Sequence, residues 1–200
     1  MIKIKRYVVT IIIGVLVGIL TVIGQKYLPT NLNFLANSAS MWLIPAFLIP
    51  YFLKTNKKDS VILSIISLIL CVLGYYIFEA ILNNHSFEIG STIIFWLICA
   101  VVGGIVFGLG ANYSNTKENI IKYVSMNLLP AVFISEGLDK LIHISEYQHM
   151  VVGIILQIII GLILYFVINN KKAIKKKNLL SILCLVILGT LAFNILYCVL

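Results

Sequence analysis

Charge is the scarcest resource in this chain. Only 11% of its 200 residues are charged and seven are acidic, and no polar stretch is long enough to fold as a soluble domain. With 61% apolar residues and a mean hydropathy of +1.08, the sequence lies far outside the range of soluble proteins. Short alternating segments of the β-barrel kind are absent as well, since the apolar residues come in continuous runs. No H-E-x-x-H, G-x-S-x-G or phosphate-binding glycine loop occurs, so no catalytic role is expected. The four cysteines (Cys71, Cys99, Cys184, Cys198) show no C-x-x-C spacing and read as small packing residues, not disulfides or metal ligands. No cofactor is expected, and a zinc site from His143, Glu146 and His149 fits no standard ligand spacing.

What is present is a series of runs long enough to cross ~30 Å of hydrocarbon. They predict an all-α, polytopic transmembrane helix bundle with spans near 7–25, 34–53, 61–83, 91–113, 119–141, 149–168 and 179–199. The whole chain, 1–200, reads as a single integral-membrane domain. The basic start "MIKIKRYVVTIIIGVLVGILTVIG" has an apolar run too long for a signal peptide and no small-residue cleavage site, so it reads as an uncleaved first span.

Charge sets the expected orientation. Thirteen of the fifteen basic residues fall in alternate breaks, including Lys3, Lys5, Arg6, Lys54, Lys57, Lys58 and the run "KKAIKKK". Lys26 and Lys140 are the exceptions. The positive-inside rule then puts the N-terminus in the cytoplasm and the C-terminus outside. The net charge of +8 describes a basic face beside anionic lipid and not a nucleic-acid binder. Of the acids, only Asp59 and Glu118 lie on that face, and all three histidines lie on the other.

Two short segments resemble one another. "SMWLIPAF" (Ser40–Phe47) and "SMNLLPAV" (Ser125–Val132) share Ser, Met, Leu, Pro and Ala in register, in spans 2 and 5. Spans 1 and 4 carry the small-xxx-small motifs Gly14/Gly18 and Gly104/Gly108, which favour close helix packing. A shift of three helices relates both pairs, which makes helices 1–3 and 4–6 a candidate inverted repeat. Pro45 and Pro130 are expected to break their helices, because each removes a backbone donor and proline-interrupted segments at matching places often mark transporter sites.

Ionisable residues within or beside spans are the functional candidates. Glu136, Asp139 and His143 follow i, i+3, i+7 spacing on one helix face, with Lys140 four residues after Glu136 as its partner. Counting ~1.5 Å per residue from the inner ends, Glu136 and Glu79 reach similar heights, about 26 and 27 Å. Tyr75 and Tyr76 lie one turn before Glu79, and Gln157 lies roughly 12 Å in from the outer end of its helix. An outward-facing acidic vestibule formed by Glu79, Glu136, Tyr75, Tyr76, Asp139, His143 and Gln157 would attract a cation, an amine or a proton.

The stretches "ANSASMWLIPAFLI" and "GYYIFEA", with the overall length, resemble an uncharacterised family of small bacterial multi-pass membrane proteins. That resemblance implies a bacterial plasma-membrane location and supplies no catalytic residues. The leading functional expectation is a small transporter or transporter subunit for a cationic or protonatable solute. An accessory or immunity-type subunit would instead pack on a membrane-protein partner or another copy through its glycine-rich faces. An intramembrane acid–base enzyme would need Glu136 and His143 to converge.

Overall fold

The computed structural model describes residues 3–117, 119–170 and 173–199, with side chains for 4–117, 119–170 and 173–197. Glu118, Lys171 and Lys172, and the side chains of Lys3 and Cys198, lie outside the described residues. Among the described residues there is no strand. The helices are α1 (Lys3–Tyr27), α2 (Asn33–Ala36), α3 (Ala39–Leu53), α4 (Lys57–Leu82), α5 (Ser91–Tyr113), α6 (Ile120–Ile142), α7 (Ile144–Tyr147), α8 (Val151–Asn169) and α9 (Lys176–Val199). A 3-10 turn, Gln148–Met150, joins α7 to α8.

Seven of these helices are long, in the places the apolar runs predict. Two of their starts are fixed by side-chain caps. Asn56 accepts from the Asp59 N–H and Asn119 from the Lys122 N–H, each at 2.9 Å, which satisfies donors that a helix start leaves open. Among the described residues, six helical segments are long and apolar enough to cross a membrane, so this is a membrane protein. The seventh long helix, α6, measures ~34 Å by its rise but carries Asn127, Glu136, Asp139 and Lys140. Its polarity is turned inward, for twelve of its 23 residues are buried.

The expected proline breaks do not occur. Pro45 lies inside the uninterrupted α3 and Pro130 inside the uninterrupted α6, both buried. The second apolar run is interrupted earlier, at Asn37–Ser38. A proline need not end a helix when neighbours take up what it frees. In α3 a further proline, Pro50, lacks the N–H that would bond the Ala46 carbonyl, and Ser64 of α4 reaches that oxygen at 2.5 Å.

The chain forms two compact units. The first comprises residues up to Leu28 together with Ala36–Asn112, and so holds α1, α3, α4 and α5. The second comprises Pro29–Leu35 and the chain from Tyr113 onward, and holds α6, α8 and α9.

In the first unit α4 is the central helix. Gly14 and Gly18 bring α1 so near that an added Cβ would lie 2.8 Å from the Ser67 carbonyl and 2.6 Å from the Tyr75 nitrogen. Gly104 and Gly108 do the same for α5, where a Cβ would meet the Cα atoms of Ile65 and Val61 at 2.6 Å. Both small-xxx-small motifs are therefore consumed against backbone of α4, where close approach supplies the packing energy that lipid cannot.

In the second unit α6 is central, flanked by α8 and α9. Gly161 of α8 admits Phe133 and Ile134 of α6. Asn127 ties all three helices together: its amide donates to Asn178 Oδ1 at 2.8 Å and to Ser181 Oγ at 2.5 Å, while Asn169 donates to its oxygen at 2.9 Å. The two proline segments thus hold different places. α3 flanks the central helix of its unit, whereas α6 is the central helix of its own.

Candidate functional site

Three helices of the first unit end or begin at the same level, and each brings aromatic rings there. Trp42 sits in the first turn of α3, Trp96 in the second turn of α5, and Tyr75 and Tyr76 two turns before the end of α4. Trp42 packs on Trp96 with ring centroids 6.4 Å apart and on Tyr75 at 5.8 Å. Tyr75 and Tyr76 meet edge to face at 4.9 Å, within the range that aromatic quadrupoles favour. The Trp42 indole N–H donates to Thr21 Oγ1 of α1 at 3.0 Å, and Gln25 hydrogen-bonds Tyr75. Trp42 and Tyr75 are therefore anchored to α1 instead of lying loose on a lipid-facing surface.

They enclose space. A chamber of about 90 Å³ is lined by Asn37, Ala39, Trp42, Tyr75, Tyr76 and Trp96. A second, of about 190 Å³, shares Ala39, Trp42 and Trp96 with the first and continues between Leu68, Val72 and Phe107. Both tryptophans of the chain line both chambers.

Glu79 stands one helical turn beyond Tyr75 and Tyr76, close enough for its charge to act on both phenols. Its carboxylate is partly exposed. It accepts from Asn83 Nδ2 at 2.5 Å and lies 3.1 Å from His85 Nε2. A carboxylate one turn from two phenol rings, with Trp42 packed on Tyr75 and Trp96 on Trp42, is a chemistry suited to a cation.

The remaining candidates lie in the second unit and divide between two neighbours. Glu136 pairs with Lys140 at 2.9 Å, both side chains largely buried, and the Lys140 ammonium stands 5.2 Å above the Phe34 ring. Asp139 and His143 turn toward α9. Asn194 hydrogen-bonds Asp139, and the His143 ring stacks on Tyr197 at 4.0 Å. Tyr197 donates in turn to Glu146 at 2.5 Å. His143 Nδ1 lies 3.0 Å from the Asp139 carbonyl oxygen and 3.8 Å from its carboxylate. Gln157 is fully buried in α8. Glu136 thus pairs with Lys140 and His143 with Tyr197, and Asp139 lies near enough to Glu136, Lys140 and His143 to feel all three charges.

Sequence reasoning singled out Tyr75, Tyr76 and Glu79 but not Trp42, Trp96 or Asn127. A usable signal existed for the tryptophans: each lies within two turns of the helix end expected at the level of Tyr75. Asn127 was visible too, as an amide in the apolar run "SMNLLP".

The fold and this geometry define a polytopic helical membrane protein with an aromatic-walled cavity beside a carboxylate. Residues 2–200 match a family of unknown function, DUF6518, and the chain belongs to that family. No curated protein and no solved structure matches it.

Proposed function

We propose that this protein is a small integral-membrane transporter, or the membrane subunit of one, that takes a cationic or protonatable solute at the aromatic cavity of its first unit. The observation that carries the reading is the convergence of Trp42, Trp96, Tyr75 and Tyr76 on one cavity with Glu79 a turn away. Ring faces attract a cation by ~0.5–1 kcal/mol each when exposed and ~2 or more when desolvated, so several together give a useful affinity without a buried ion pair. Glu79 supplies long-range attraction and a proton acceptor at the mouth.

In this reading the protein sits in a bacterial plasma membrane with this mouth outward, an orientation that the distribution of lysines supports, and with the basic ends of the helices against anionic cytoplasmic lipid. Glu136, Asp139 and His143 act in this reading as the ties that hold α6, α8 and α9 in place.

The test is calorimetric titration of the protein in lipid nanodiscs with a panel of small organic cations led by tetramethylammonium. Saturable binding, weakened about fivefold or more by Glu79→Gln, is the expected result. Absence of binding across the panel contradicts the reading. Uptake of the bound cation into proteoliposomes then separates a transporter from a binding subunit.

A further inference from the structure

The two chambers differ in chemistry. The smaller counts Asn37 and the two tyrosines among its lining residues, beside the tryptophans. The larger continues past the tryptophans between Leu43, Leu68, Val72 and Phe107, with no charged residue on its wall. At about 190 Å³ this half-open cleft has room for an apolar group of about benzene size. A small hydrated ion gains nothing from such a space, because its hydration shell finds no replacement there. An apolar group of benzene size fills it and gains burial.

Resting on the cation-binding reading above, we infer that the solute is a lipophilic amine or quaternary ammonium. Its cationic head sits among Trp42, Tyr75, Tyr76 and Trp96, and its aryl or short alkyl part fills the chamber beyond the tryptophans. Gly103 sets the size of that part. A Cβ at Gly103 would meet only side-chain carbons, Leu68 Cδ1 at 3.4 Å and Leu43 Cδ2 at 3.8 Å, and Gly103 lines the larger chamber. The next residue, Gly104, is pressed on the backbone of α4. The adjacent glycines thus divide two tasks: Gly104 seats the helix and Gly103 keeps the chamber open.

The experiment compares tetramethylammonium with benzyltrimethylammonium on the full chain in nanodiscs, for wild type and Gly103→Leu. The expected result is at least tenfold tighter binding of the benzyl compound by wild type. Gly103→Leu removes that gain and leaves tetramethylammonium affinity within about twofold. Should Gly103→Leu fail to fold, Gly103→Ala shows the same effect at about threefold. Equal affinities for the two cations in wild type, or a benzyl preference that survives both substitutions, overturn the inference and leave the cation site standing. Failure of both cations to bind overturns the inference and the cation site together.

Discussion

Ser64 of α4 hydrogen-bonds the Ala46 carbonyl of α3 at 2.5 Å, the oxygen that Pro50 leaves without its helical donor. Ser64 and Ala46 are both fully buried, so water does not reach that oxygen. Ser64→Ala should lower stability by an amount between the ~0.6 kcal/mol typical of interhelical bonds in bilayers and the ~1–3 kcal/mol of a stranded buried acceptor. Pro50→Ala restores the missing N–H and should rescue part of the loss. Thermal unfolding of the two single variants and the double variant checks this; strictly additive losses would contradict it.

The neighbouring glycines of α5 give a sharper contrast. Gly104→Ala forces a Cβ onto the Ile65 backbone and should cost about 1–3 kcal/mol. Gly103→Ala meets ordinary van der Waals distances and should stay within about 0.5 kcal/mol of wild type. Parallel melting curves in one detergent decide the matter, since both changes add the same methyl group one residue apart.

Lys140 holds the charge of Glu136 in a largely buried setting. Removing the cation alone leaves a carboxylate with lost compensation, a change worth up to about 3–5 kcal/mol in buried pairs. Lys140→Met should therefore destabilise more than the double variant Glu136→Gln/Lys140→Met. The reverse order in denaturation midpoints would show that the pair is a solvated surface contact.

Asn127 joins α6 to both flanking helices through its amide group. Asn127→Leu preserves volume but removes one partner from each of Asn169, Asn178 and Ser181, and should cost about 1–2 kcal/mol. If hydrogen exchange at the α8 and α9 ends facing it stays unchanged in the variant, the network is not what closes that end of the unit.

Features that depend on neighbours in sequence were legible before the fold was known. The long helices follow from apolar run length, the Glu136–Lys140 pair from i, i+4 spacing, and the glycine motifs from their period of four. Features that depend on which helices pack together were not. Trp42 and Trp96 are 54 positions apart, and only the flanking of α4 by α3 and α5 makes them neighbours. The prolines misled because the sequence shows the lost donor but not Ser64, which replaces it from another helix. Asp139 and His143 share a face with Glu136 as their spacing predicts, and Asp139 feels the charges of both, while Lys140 reaches Phe34 and His143 reaches Tyr197 of α9.

The aromatic cavity is the centre of this account, and the chain supplies its own reporter, because both of its tryptophans line it. The most direct measurement is intrinsic tryptophan fluorescence of the protein in nanodiscs, titrated with choline and with its neutral isostere 3,3-dimethyl-1-butanol. A saturable change with choline, at least tenfold weaker in apparent affinity for the alcohol, is the predicted result. No saturable change, or the same response to both compounds, would contradict a cation site at Trp42 and Trp96.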